Sequence, residues 1–138
     1  MSPRQSTRKQ SCDERAARTR LRDAYAQLEL GELAHAKSSA EERKAAASCA
    51  VLAGIAAADA ACCAALGQRS RSQNHRDAAA LLGQVSPGGL EGARQFERLL
   101  GLKDQAQYGF EDVSGQKPST ALRQARALIA LAEQTLAR

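Results

Sequence analysis

Apolar and polar positions alternate at helical spacing along most of the chain, interrupted by short clusters of Ser, Gly and Pro. Ala17, Leu21, Ala24 and Leu28 fall on one helical face with Tyr25 beside them, which predicts a first helix from about Asp13 to about Ala36. His35 lies one heptad beyond Leu28 and is expected to be a satisfied boundary residue rather than a ligand or catalyst. The stretch SSAEERKAAA restarts the pattern. Ser39 and Glu42 stand at capping-box spacing, so a second helix is expected to run to about Leu66, with Gly67 closing it. At 1.5 Å per residue it reaches about 40 Å and is expected to be central. Leu52, Ile55, Cys62 and Leu66 mark a stripe along it, and Asp59 shares that stripe. Residues 67–74 form a polar connector. Asn74 and Asp77 can cap a third helix running to about Val85, with His75 in its first turn on the face of Ala79 and Leu82. SPGG at 86–89 breaks the chain. A fourth helix is expected from about Leu90 to Gln107, with Phe96, Leu99, Leu100 and Ala106 on its apolar side. After the loop GFEDVSGQKPST, a fifth begins near Pro118, which suits a first turn, and carries Leu122, Ala125, Ile129 and Leu136.

Five helices with short connections predict an all-α fold, an up-and-down bundle of four to five helices. Composition agrees: alanine is abundant and β-branched residues are few, which favours helix over sheet. The 138 residues suit one domain. No apolar run reads as a bilayer span, and no hydrophobic segment follows the basic N-terminus, so no membrane association and a cytoplasmic location are expected. The net charge of +5 is uneven, because residues 1–20 hold six bases against two acids. They read as a flexible basic tail, with residues 21–138 as the domain. The four cysteines, Cys12, Cys49, Cys62 and Cys63, form no C-x-x-C pair and have no histidine at zinc-ligand spacing. They are expected to be free thiols at helix interfaces, in keeping with a reducing compartment. No Gly-rich phosphate loop, Ser-His-Asp set or HExxH motif occurs, and neither metal nor cofactor is expected.

Two places invite chemistry. Asp59, among Ala, Ile and Cys, needs either a cationic or phenolic partner on another helix or a position facing a cleft. The segment LGQRSRSQNHRD sets Arg69 five residues before His75. Arg69, Arg71 and Arg76 could contact phosphate near a helix N-terminus, or Arg69 and His75 could act as a charge-stabilising and proton-transfer pair on RNA. The plain alternative is a polar helix junction, with the His75 ring covering Ala79 and Leu82.

The junction SQNHRDAAALL, the fourth-helix ending LKDQAQYG and the Ala-rich STALRQARALIALAEQ follow one another in an order that resembles the HEPN superfamily (higher eukaryotes and prokaryotes nucleotide-binding). The resemblance implies a helical bundle, often dimeric, and often a metal-independent ribonuclease in a toxin–antitoxin, defence or mobile-element system. It points to Lys103, Asp104 and Tyr108, with Asp59 opposite, as the lining of a cleft. The family's ribonuclease motif is Arg, four to six residues, then His in the penultimate helix. Here Lys103 stands where that Arg is expected, Gln107 stands where one branch has Asp, and no His follows Lys103. Lysine keeps the charge but loses two-pronged phosphate geometry, and Gln cannot take a proton.

The resulting expectation is a HEPN-like binding module without that ribonuclease chemistry, acting through a homodimer or protein partner, or on a nucleotide or RNA. The alternatives are a metal-independent endoribonuclease with a displaced Arg69/His75 site, and a plain helical interaction module.

Overall fold

A computed structural model of the chain describes residues 8–37, 39–102 and 116–138. In chain order its elements are β1 (Lys9–Ser11), α1 (Glu14–His35), α2 (Ala40–Leu66), β2 (Gln68–Ser70), α3 (His75–Leu82), α4 (Gly89–Gly101) and α5 (Gln116–Leu136). The all-α bundle is as expected.

Local chemistry sets the helix ends. The Asp13 carboxylate accepts the Ala16 N–H at 2.8 Å, and Ser39 Oγ accepts that of Glu42 at 3.1 Å. Ser39 Oγ also donates to Glu42 Oε1 at 2.6 Å, so the two capping-box side chains lock together. Asn74 Oδ1 accepts the Arg76 N–H at 3.0 Å and starts α3. Gly67 closes α2 at φ 68°, a left-handed turn that a side chain would strain. α3 stops at Leu82, short of Val85, because Gln84 and Val85 turn back onto the Leu81 and Leu82 carbonyls. The expected extension of α4 to Gln107 lies outside the described residues.

Contacts fix the helix directions. A Cβ on Gly31 in α1 would stand 3.1 Å from Cys49 Cβ near the start of α2 and 3.0 Å from Leu122 near the start of α5. Thus α1 is antiparallel to both. Gly54 in α2 lies against Leu99 of α4 and Leu128 of α5, while Gly92 lies under Leu131, so α4 and α5 are antiparallel. Helices α1, α2, α4 and α5 alternate in direction, with α3 in the return between α2 and α4.

The stripe expected on α2 needs correction. Leu52 is 44 % exposed, and the core positions are small: Ala46, Ala50, Val51, Ala53, Ala57 and Ala61 among others. A helix buried on most of its circumference has no single apolar face to read. Its small residues let α1, α4 and α5 approach closely, and the volume is filled by Phe96, Leu99, Leu122 and Leu128 from the other helices. α2 is also long and apolar enough to meet a bilayer span by length and composition, contrary to expectation; 67 % of that stretch is buried inside the fold, as befits the core helix.

Two further expectations change. Of residues 9–20, assigned to the tail, Lys9–Ser11 form β1 and those from Glu14 on are the first turns of α1, so they belong to the domain. β1 pairs antiparallel with β2 in the register Lys9↔Ser70, Gln10↔Arg69 and Ser11↔Gln68. The ribbon continues through Cys12 N–H to Gly67 O at 2.9 Å and Arg71 N–H to Arg8 O at 2.8 Å. A segment expected to be a flexible tail thus forms a strand, because the α2–α3 connector offers it an edge to pair with.

Candidate functional site

The ribbon, the first turns of α1 and the C-terminal end of α2 enclose an open cleft of about 860 Å3, lined by Gln10, Cys12, Asp13, Arg20, Cys63 and Arg69 among others. Its floor is Asp59. Arg20 reaches Asp59 Oδ2 through Nε at 3.1 Å and Nη2 at 3.0 Å. Arg69 donates to the same oxygen from Nη1 at 3.4 Å. The other edge of the Arg69 guanidinium grips Gln10 Oε1, from Nη2 at 2.8 Å and Nε at 3.1 Å. Arg20 Nη1 is held by the exposed Asp23 at 3.0 Å.

The cationic partner that the sequence demands for Asp59 is thus two guanidinium groups, both from the lining of the cleft. Burial raises its pKa, opposed by the charges and hydrogen bonds of Arg20 and then Arg69. Asp59 and Asp23 together balance Arg20 and Arg69, so the excess positive charge at this end comes from the strands and the connector. Residues 8–12 and 67–76 hold Arg8, Lys9, Arg69, Arg71 and Arg76 with no acid. Arg71 and Arg76 are exposed, outside the cleft lining.

Of the residues named from sequence, the fold brings Asp59 and Arg69 together. His75 is the first residue of α3 and half-buried, behind its Asn74 cap. Arg69 is committed to Asp59 and Gln10. Lys103, Asp104 and Tyr108 lie outside the described residues. Arg20 and Gln10 were missed. Both stood in the supposed tail, and their only signal was position: in an α1–α2 hairpin, residues near 12–20 face residues near 59–63.

The same hairpin symmetry overturns the reading of the cysteines. Cys12 and Cys63 form a disulfide across 51 residues, with Cα atoms 5.3 Å apart. Cys49 and Cys62 are free thiols. Burial, and then the Asp59 charge, push Cys62 up to about 12; burial also raises Cys49. The expectation of a reducing compartment therefore loses its cysteine premise.

His35 is a boundary residue as expected, with Nε2 3.0 Å from Ser119 Oγ. Among the described residues its Nδ1 is buried without a partner, so they supply no third group of the kind that orients a catalytic Ser–His pair. Among the described residues, no three His, Cys, Asp or Glu side chains gather as a metal site.

Compared with known proteins, the chain matches no family model and no curated protein.

Proposed function

We propose that this chain is a HEPN-like helical binding module that engages the phosphates of RNA or nucleotides at its ribbon end, without ribonuclease chemistry of its own. The observation that carries the reading is the use of the arginines. Arg20 and Arg69 are anchored by Asp59 and Gln10, while Arg8, Lys9 and Arg71 are exposed on the ribbon with no acid among them. Fixed guanidinium groups framed by exposed cations suit a backbone-contacting surface, which attracts phosphate without reading sequence. The setting proposed with it is cytoplasmic, in a toxin–antitoxin, defence or mobile-element system.

The test is fluorescence anisotropy with a mixed-sequence single-stranded RNA, in EDTA, over a salt series. Three ribbon contacts would give log K a slope of about −2 against log salt. Lys9→Glu with Arg71→Glu is expected to abolish binding and leave the circular dichroism unchanged. Absence of binding at low salt would overturn the reading. Cleavage lost in His75→Ala would replace it with the displaced ribonuclease.

A second reading, a protein-interaction or dimerisation module, has its own support. Leu30 and Leu33 on α1 are 53 % and 60 % exposed, and paired exposed leucines on one helix suit a helical partner. Sedimentation equilibrium of the wild type and of Leu30→Glu/Leu33→Glu distinguishes a dimer from a monomer.

A further inference from the structure

We propose that the ribbon cleft is a thiol–disulfide exchange site, where a small anionic thiol reaches the Cys12–Cys63 bond, opens it at Cys12 and releases the β1–β2 ribbon. This goes beyond the phosphate-binding reading and does not depend on it.

Both cysteines line the 860 Å3 cleft, so the bond borders open space large enough for a small thiol. The two sulfurs are not equivalent. Cys12 is half-buried at the cleft edge, whereas Cys63 is 3 % exposed within α2. Access therefore directs attack to Cys12, with Cys63 as the leaving group. Arg20 and Arg69 line the same walls, and Arg8, Lys9 and Arg71 flank them on the ribbon. The carboxylates of Asp59, Asp23 and Asp13 offset the two cleft arginines. The positive charge that draws an approaching thiolate is therefore that of the exposed Arg8, Lys9 and Arg71 at the ribbon, which raises the local concentration of anions.

The chemistry balances without a further reagent. A thiolate forms a bond to Cys12 Sγ as the Cys12–Cys63 bond breaks, and Cys63 leaves as a thiolate that takes a proton from water. A second thiolate attacks the external sulfur of the mixed disulfide and frees Cys12. Two small thiols are oxidised to one disulfide and the protein bond is reduced to two thiols; a small-molecule disulfide drives the reverse. No internal thiol competes, because Cys62 is buried and held protonated and Cys49 is raised by burial.

The mechanical consequence follows from the size of the ribbon. Two paired strands of three residues are marginal by themselves. Here the pair depends on the disulfide, the Cys12–Gly67 and Arg71–Arg8 backbone bonds, and the grip of Arg69 on Gln10. Opening the bond removes the only covalent tie. The Cys12 and Arg71 amides should then exchange with solvent while the α2 core amides remain protected.

The experiment uses the full oxidised chain and three thiols of different charge: 3-mercaptopropionate, 2-mercaptoethanol and cysteamine. Appearance of protein thiols is followed by alkylation and mass spectrometry. Rates are corrected to thiolate concentration and divided by those on a small uncharged disulfide. The anionic thiol is expected to be roughly three- to tenfold faster than the neutral one, the cationic thiol slower, and the order should collapse in high salt. Mixed disulfide trapped by acid should map to Cys12. Hydrogen exchange of the reduced chain should show loss of protection confined to the ribbon amides, Cys12 and Arg71 among them. Three results overturn the proposal: the same rate for all three thiols, set by global unfolding; mixed disulfide on Cys63; or a chain whose Cys12 and Cys63 stay reduced in excess small-molecule disulfide.

Discussion

Arg20 and Asp59, 39 residues apart in sequence, meet on one carboxylate oxygen, with Nε at 3.1 Å and Nη2 at 3.0 Å from Oδ2. The carboxylate is 8 % exposed and the guanidinium 31 %. The pair ties the second turn of α1 to the C-terminal half of α2 and orients the arginine in the cleft wall. A buried carboxylate owes its place to such partners, since without them its desolvation is uncompensated.

Arg20→Ala leaves Asp59 with Arg69 at 3.4 Å as its remaining cation. The expected loss of stability is about 1–3 kcal/mol. Arg18→Ala, which breaks the exposed pair with Glu14, should cost no more than about 0.5 kcal/mol. Urea unfolding of both variants compares them, and equal losses would show that the buried pair has no special weight.

Asp59 also gives stability a pH dependence of defined sign. Its pKa is raised in the fold by burial, against an ordinary value of 3.8, so between the two values the folded chain binds more protons than the unfolded one. The contribution is fully present below the ordinary value and is lost as pH rises through the raised one. Relative to Asp59→Asn, the wild type should lose stability on going from the ordinary aspartate range toward neutrality. Parallel denaturation curves across that window measure it; a wild type that gains stability relative to the variant would mean the arginines outweigh burial.

Gly54 shows how tightly the small-residue helix is packed. A Cβ there would overlap Leu99 Cδ2 and stand 3.3 Å from Leu128. Alanine is the better helix former by about 1 kcal/mol, yet overpacking typically costs about 1–3 kcal/mol. Gly54→Ala should therefore lower the melting temperature. Leu99→Ala alone should cost about 2–5 kcal/mol, and the double variant less than the sum of the singles, because the new methyl enters the space the leucine leaves. Strict additivity in the cycle would mean the two positions do not share that space.

Removing the disulfide with Cys12→Ser and Cys63→Ser opens a loop of 51 residues in sequence separation. The expected loss is about 2–4 kcal/mol, with helix content retained because the α1–α2 interface holds without it. Guanidinium unfolding followed by circular dichroism checks both parts.

The helices were legible in the sequence because their signals are local. Ser39 with Glu42, Asn74 with Asp77, and Gly67 each determine a helix end within a few residues, and the apolar spacing of α1, α4 and α5 needs no knowledge of a partner. The need of Asp59 for a counter-charge was also legible, because a carboxylate in an apolar stretch carries its own requirement. What only the tertiary structure decided is who answers it. Arg20, Gln10, and the bond between Cys12 and Cys63 depend on the hairpin of α1 and α2 bringing distant residues side by side, and on a connector edge that turns a polar leader into a strand. The core side of α2 was hidden for a related reason: a helix of alanines buried on most of its circumference has no periodicity, so its neighbours, and not its own pattern, assign its faces.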